Sequence, residues 1–375
     1  MRVILSHRSS AVRVRPATIF VFFAIVLCLG AGLWLGLGGK GKKENVQVTP
    51  IQSSGGQVSS ISDETLLYRH PLTGEKLAQP TPFSPVAGIM VENAYDARPQ
   101  AGLENAFLVI EAPVEAGISR FLAFYDLDLR KEVAEKIGPV RSARPYFIDW
   151  ADEWDALYAH VGGSDAALSL LRSSNVFDVN QFWNDAFFWR SHDRFAPHNV
   201  YTSLELLRSA WNRMVPSEKT VDYGVWTFKD GQPLLLSDQA SLKVEFSTPP
   251  YRVEWVYNAG TNRFERFQAG ERHRMESGEV LQAENVAVLV TSVRVIDSVG
   301  RREIRTIGEG KAWVVQDGCF FPASWKKPFV EERLRFYREN GEEIFWNAGT
   351  TWIEVVASED QISWTGEGDT SWDVR

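Results

Sequence analysis

Apolar residues are spaced along this chain in several distinct ways, and each spacing predicts a different element. From Ala17 to Gly39 no residue is charged. At 1.5 Å per residue a helix of that length spans roughly 34 Å, enough to cross a hydrocarbon core of about 30 Å. Further on, Val86–Val91, Phe107–Glu111, Phe121–Tyr125 and Tyr158–Val161 are short apolar runs with strand character. The last leads through Gly162-Gly163-Ser164 into an Ala/Leu-rich helix. Thr202-Ser203-Leu204-Glu205 reads as a capping box with Thr202 as N-cap. Leu204, Leu207, Trp211 and Met214 then share one helical face.

Beyond residue 220 the pattern turns to strand. Leu242–Phe246 and Val253–Tyr257 alternate with period two, whereas Val286–Ile296 is continuous, as a central strand would be. Asp317-Gly318 and Asn340-Gly341 sit between apolar runs and predict two-residue hairpins. The expected fold is therefore α+β or α/β. A mixed α/β domain over 66–216 precedes a β-rich domain over 221–357, behind one N-terminal transmembrane helix within 1–45. Residues 46–65, rich in Gln, Ser and Gly, read as a flexible tether, and 358–375 as a polar tail.

Charge sharpens this reading. Residues 1–45 hold seven of the chain's 40 basic residues and one of its 48 acids, leaving 33 basic and 47 acidic residues, a net −14, for 46–375. A body that acidic repels a phosphate backbone, which excludes general nucleic-acid binding. Cys28 lies in the apolar segment, so Cys319 is the body's one thiol, and neither an internal disulfide nor a thiolate zinc site is available. Four arginines precede the 17–39 segment and three lysines follow it, which favours a cytoplasmic N-terminus. A cleaved signal peptide has a shorter apolar core. A lipoprotein needs a small residue before its cysteine, and Leu27 precedes Cys28. An uncleaved anchor, with the bulk of the chain extracytoplasmic, is the expectation.

Several longer stretches form an ordered pattern: Pro71-Leu-Thr-Gly74, Val91-Glu-Asn93, Arg98-Pro-Gln-Ala-Gly-Leu103, Glu111-Ala-Pro-Val-Glu115 and Ile118-Ser-Arg-Phe-Leu-Ala123. Ile137-Gly-Pro-Val-Arg-Ser-Ala-Arg-Pro-Tyr-Phe147, His160-Val-Gly-Gly-Ser164 and Ala196-Pro-His-Asn-Val-Tyr-Thr-Ser203 continue it, with Glu284-Asn-Val286 and Gly349-Thr-Thr-Trp-Ile353 in the second half. In these the chain resembles the YerB family of bacterial lipoproteins, built from two successive domains of unknown function. The resemblance implies a cell-envelope location and an α/β domain followed by a β-rich one, and supplies no activity. Typical members carry a lipobox cysteine, where this chain has an apolar segment.

Candidate chemistry centres on Gly138-Pro-Val-Arg141-Ser-Ala-Arg144-Pro145. If a helix opens near Ser142, Arg141 and Arg144 point the same way beside its N-terminus and suit a phosphate or carboxylate; each is equally read as the partner of a carboxylate in the acidic body, holding the loop. Arg98, His160, Ser164, His198 and Asn199 are further candidate ligand contacts. Ser164 is also read as a helix cap, and His198 as a structural hydrogen-bonding group. Glu92, Glu111 and Glu115 stand at or after strand ends, where a glycosidase acid–base pair could be held; each is equally read as the partner of an arginine. Phe182-Trp183 and Phe187-Phe188-Trp189 are either core or sugar-stacking faces. His192 and His198 fit no ligand spacing, so no metal and no cofactor are expected. The function expected is binding of an anionic envelope glycan or lipid-linked precursor. A glycan-processing enzyme using paired Glu is one alternative. A structural assembly partner, contacting other proteins through the C-terminal domain, is the other.

Overall fold

The computed structural model describes residues 68–128, 134–220, 223–235 and 240–366; the expected anchor at 17–39 and the tether at 46–65 lie outside them. Val86–Glu92, Leu108–Pro113 and Ser119–Asp126 form strands, and all seven residues of the first are buried. A strand covered on both faces reads as an unbroken apolar run, which is why these three lack alternation. They are neighbours in a ten-stranded mixed sheet. Its order is Arg335–Tyr337, Cys319–Lys327, Gly308–Gln316, Asn285–Val290, Thr351–Val356, Leu108–Pro113, Ser119–Asp126, Val86–Glu92, Leu157–His160, Phe177–Asn180. The centre of this sheet is where the two halves of the chain meet. Thr351–Val356 runs parallel to Leu108–Pro113, setting Ile353 opposite Ile110 and Glu354 opposite Glu111.

Each face of this sheet has its own cover. On one lies a six-stranded antiparallel sheet that includes Ser241–Glu245, Arg252–Asn258 and Arg263–Gln268. Period-two alternation along Arg252–Asn258 turns Val253, Trp255 and Tyr257 inward, where they join Val91, Val109, Phe121, Val288 and Trp352 in one core. Helix α3 (Leu204–Met214) supplies Leu204, Leu207 and Ala210 to the same core. On the opposite face, helices α1 (Pro145–Asp152) and α2 (Asp165–Leu171) cover Met90, Leu122 and Phe124, with Trp154, Trp325 and Trp346 packed alongside. Each large apolar side chain so buried contributes roughly 1.5–3 kcal/mol.

Three short α-helices among the described residues make the fold mostly β, less helical than an α/β reading suggests. None of them is long and apolar enough to cross a membrane. Several boundaries also differ from the sequence expectation, each for a local reason. The cap of α3 is Ser203, whose Oγ accepts from the Leu206 amide at 3.2 Å. Thr202 stays extended because it exchanges two backbone bonds with Ile137, and its hydroxyl donates to the Phe187 carbonyl. The long run Val286–Ile296 splits: its first part is the central strand, and Val293–Val295 pairs instead with Arg302–Ile304. Asp317 and Gly318, both at positive φ, close the expected two-residue hairpin between Gln316 and Cys319. At Asn340-Gly341 only Gly341 is left-handed, and the Arg338 amide bonds the Glu342 carbonyl, so this turn is one residue longer. Past Ser358, Ile362–Thr365 adds an edge strand to the smaller sheet, and Trp364 stacks on Phe320 at 5.2 Å. That part of the expected polar tail belongs to the fold.

Because one sheet passes through both halves, they should unfold together. Ile353→Ala removes a fully buried side chain at the join and should cost about 2–5 kcal/mol. Urea unfolding followed by tryptophan emission and by far-ultraviolet circular dichroism should shift by the same amount in one transition. Two separated transitions, with only one displaced, would show the halves to be energetically independent.

Candidate functional site

The Arg141–Arg144 segment is strand-like where a helix was expected. Val140 bridges Val91, Ala143 bridges Gly163, and Arg144 itself is extended. The helix opens at Pro145, which suits a first turn and forces the residue before it out of helical space. In extended chain, residues three apart face opposite sides, so the two guanidiniums diverge. Arg141 Nε lies 2.8 Å from Glu92 Oε1, while the other Glu92 oxygen is 2.7 Å from His198 Nδ1. Arg144 forks onto Glu115, with Nε and Nη2 donating at 2.6 and 2.9 Å. Burial acts to raise the Glu115 carboxyl, but the hydrogen bonds and charge of Arg144 outweigh it and hold it below the usual range. Arg120, beneath the same loop, donates to the Ser142 carbonyl at 2.8 Å; burial first, and then the Arg144 charge, lower it to about 10. A pair of free guanidiniums at a helix start is therefore not what this segment presents.

The three candidate carboxylates are likewise dispersed, each on its own cation. Glu111 is fully buried between the two sheets, where Arg266 Nη2 donates to it together with Ser119 and Asn93. Arg266, also fully buried, is ringed by Phe121, Trp255 and Trp352 at 5.0–5.7 Å and donates to His273 Nδ1 and Gln268. Burial, reinforced by the Arg266 charge, drives His273 well below its usual range, so the neutral ring gives its Nε2 proton to Gln100 at 2.9 Å. Glu354 stands beside Glu111 and accepts from Trp255 Nε1 at 2.7 Å; burial and the Glu111 charge push it far up, and it is held protonated. This is core chemistry. Glu111 cannot reach a substrate, and no two of Glu92, Glu111 and Glu115 form an ion pair with the same cation.

Other expected contacts have partners within the fold. Arg98 donates to the Asn93 side chain and carbonyl and lies over Tyr251 at 5.1 Å. Ser164 caps α2 through the Ala167 amide. His160 is fully buried, its Nδ1 2.7 Å from the Gly162 carbonyl and its Nε2 2.7 Å from Asp178.

What the fold does open is a pocket of about 660 Å³. The turn Gly162-Gly163, the end of the edge strand at Asp178 and Asn180, and the loop from Phe182 to Pro197 form its walls. Asn180 ties these together, its Oδ1 accepting the Gly162 and Phe182 amides at 3.0 and 3.3 Å. Gly162 has φ +59°, and a Cβ there would come within 2.9 Å of the Phe182 ring. Arg141, Arg172 and Arg190 line the pocket. Asn199 Oδ1 accepts from Arg190 at 2.9 Å, and Gln181 from its other terminal nitrogen at 3.3 Å. Among the described residues neither Arg172 nor Arg190 has a carboxylate within ion-pairing distance, and Asp178 is the one acid on the wall, already engaged by His160. Phe182 and Trp183 are exposed there, whereas Phe187 and Phe188 go to the core. Arg172, at the exposed end of α2, carried no sequence signal. Arg190 lay in a stretch read for its histidines, and its own role follows only from Asn199.

Residues 72–216 match the family described as "Protein of unknown function (DUF3048) N-terminal domain", and 242–353 match its C-terminal domain. The chain is 30% identical over 319 residues to the Bacillus subtilis (strain 168) protein named "Putative lipoprotein YerB", covering 83% of this chain and 93% of that one. The crystal structure of Bacillus subtilis YerB superposes with a TM-score of 0.69 at 29% identity, over 80% of this chain and 99% of the other.

The buried cluster gives a stability test. Arg266→Met leaves Glu111 unpaired in the core and should cost about 3–5 kcal/mol, whereas adding Glu111→Leu should recover most of that loss. Glu354 is protonated in the fold but ionises above about pH 4.5 when unfolded, so its contribution is lost as pH rises toward the folded value. Glu354→Gln keeps a neutral group of the same shape. Its denaturation midpoint should gain on wild type as pH rises above about 4.5, and parallel pH profiles would refute the assignment.

Proposed function

This chain belongs to the DUF3048 family, and we propose that it is an envelope protein that binds an anionic glycan-type ligand in the pocket beside Gly162-Gly163. The observation that carries this reading is the lining. Two guanidiniums without carboxylate partners among the described residues and two exposed aromatic side chains share one hollow in an otherwise acidic body. Fork donors suit the carboxylates and phosphates of peptidoglycan fragments, teichoic-type polymers and lipid-linked precursors, and aromatic faces suit sugar rings. Arg141 reaches the same hollow but shares its charge with Glu92, so Arg172 and Arg190 supply the net attraction. Hydrolysis by paired carboxylates finds little support, because Glu92, Glu111 and Glu115 are each held by a separate cation. The relative's name carries the word lipoprotein. In our reading 17–39 is an uncleaved single-pass anchor with the body outside the cytoplasm.

Retention of the full-length protein, in detergent micelles, on insoluble peptidoglycan and on immobilised poly(glycerol phosphate) tests this. Arg172→Ala and Arg190→Ala should each weaken retention about tenfold, the worth of one charge-assisted contact near 1.5 kcal/mol, while the thermal midpoint stays within about 2 °C. Trp183→Ala should weaken retention of the sugar polymer more than that of the phosphate polymer. Unchanged retention in both arginine variants would overturn the reading.

A further inference from the structure

The pocket wall continues into a cluster of large aromatic side chains standing in solvent. Phe182 is 60% and Trp183 82% exposed on the wall itself. The loop that supplies Ala196 and Pro197 carries Phe195, 93% exposed. Arg194, next to it, donates to the carbonyls of Asp96 and Pro99, which holds the 94–99 loop alongside and adds Tyr95, 75% exposed. Four exposed rings therefore stand on loops that adjoin one another.

We infer that this aromatic rim rests in the interfacial layer of a lipid bilayer. Trp, Tyr and Phe prefer the headgroup boundary, where an apolar ring meets hydrocarbon and polar atoms meet water. The chain supplies the proximity, because 28 residues separate Gly39, the end of the uncharged stretch, from Tyr68, where the described fold begins. A linker of 28 residues reaches at most about 100 Å, so the inference rests on the anchor proposed above to hold the body near a bilayer. Arg172, Arg190 and Arg194 stand at the same end. Asp96, Asp185 and Asp193 on these loops bring the patch close to neutral, so ring burial supplies the attachment and salt disturbs it little.

The test uses the full-length chain reconstituted in vesicles with Cys28→Ser, and a nitroxide at Phe195→Cys. A control label at Glu339→Cys sits beside the edge strand at the other end of the large sheet. The label at 195 should become accessible to oxygen and protected from a water-soluble nickel complex, by about fivefold relative to the label at 339. That difference should persist at about 0.5 M salt, where the Debye length is a few ångströms, and disappear with Tyr95→Ala plus Trp183→Ala. A label at 195 exposed to the nickel complex overturns the inference. So does one shielded from both reagents, which would mean contact with another copy of the protein. The inference stands apart from the pocket reading: lipid contact at 195 with unchanged glycan retention in the arginine variants would remove the ligand and keep the docking.

Discussion

A buried charge joins the two halves of this chain on each side of its sheet. On one side Arg266, from the second half, reaches Glu111 of the first inside a shell of Trp255, Trp352 and Phe121. On the other, Glu153 of the first half receives Lys327 and Arg333 of the second, and Arg333 lies over Trp154 and Trp226. Ion pairs of this kind add little net stability, since desolvation offsets attraction. Their effect is on arrangement. A guanidinium that is fully buried tolerates only the register that brings its acid to it, and the parallel pairing of Glu354 with Glu111 sets that register at the join.

The same constraint decides which arginines are left for anything outside the fold. The body has more acids than bases, and structural pairing takes Arg141, Arg144 and Arg266 in turn. Arg172 and Arg190 escape because they sit at the exposed end of α2 and on a two-residue ribbon, beyond reach of those acids. Arg190 is instead oriented by two amides, Asn199 and Gln181, which fix its direction without cancelling its charge. The positive character of the pocket follows from where carboxylates are missing more than from where arginines are concentrated.

Much of the first half was legible. Its apolar runs at 86–91, 107–111 and 121–125 fall on strands, and the face Leu204, Leu207, Trp211, Met214 is the one that α3 packs inward or against the core. Pro145 was the available signal against a helix beginning at Ser142, because the residue before a proline is driven extended. That rule sends Arg141 and Arg144 to opposite sides. The buried Arg266 gave no comparable sign, since in sequence it is one of the polar positions of an alternating strand.

The sequence by itself determined the strand-forming segments, the Asp317-Gly318 hairpin and the acidic balance of the body, because these depend on local backbone preference and on composition. It also carried, in its longer motifs, the family to which the chain belongs. Only the tertiary structure decided that one sheet runs through both halves, that each candidate glutamate is matched to a separate cation, and that Arg172 and Arg190 face a common pocket. Those outcomes depend on which residues far apart in the chain come within ion-pairing distance, and no local pattern encodes that distance.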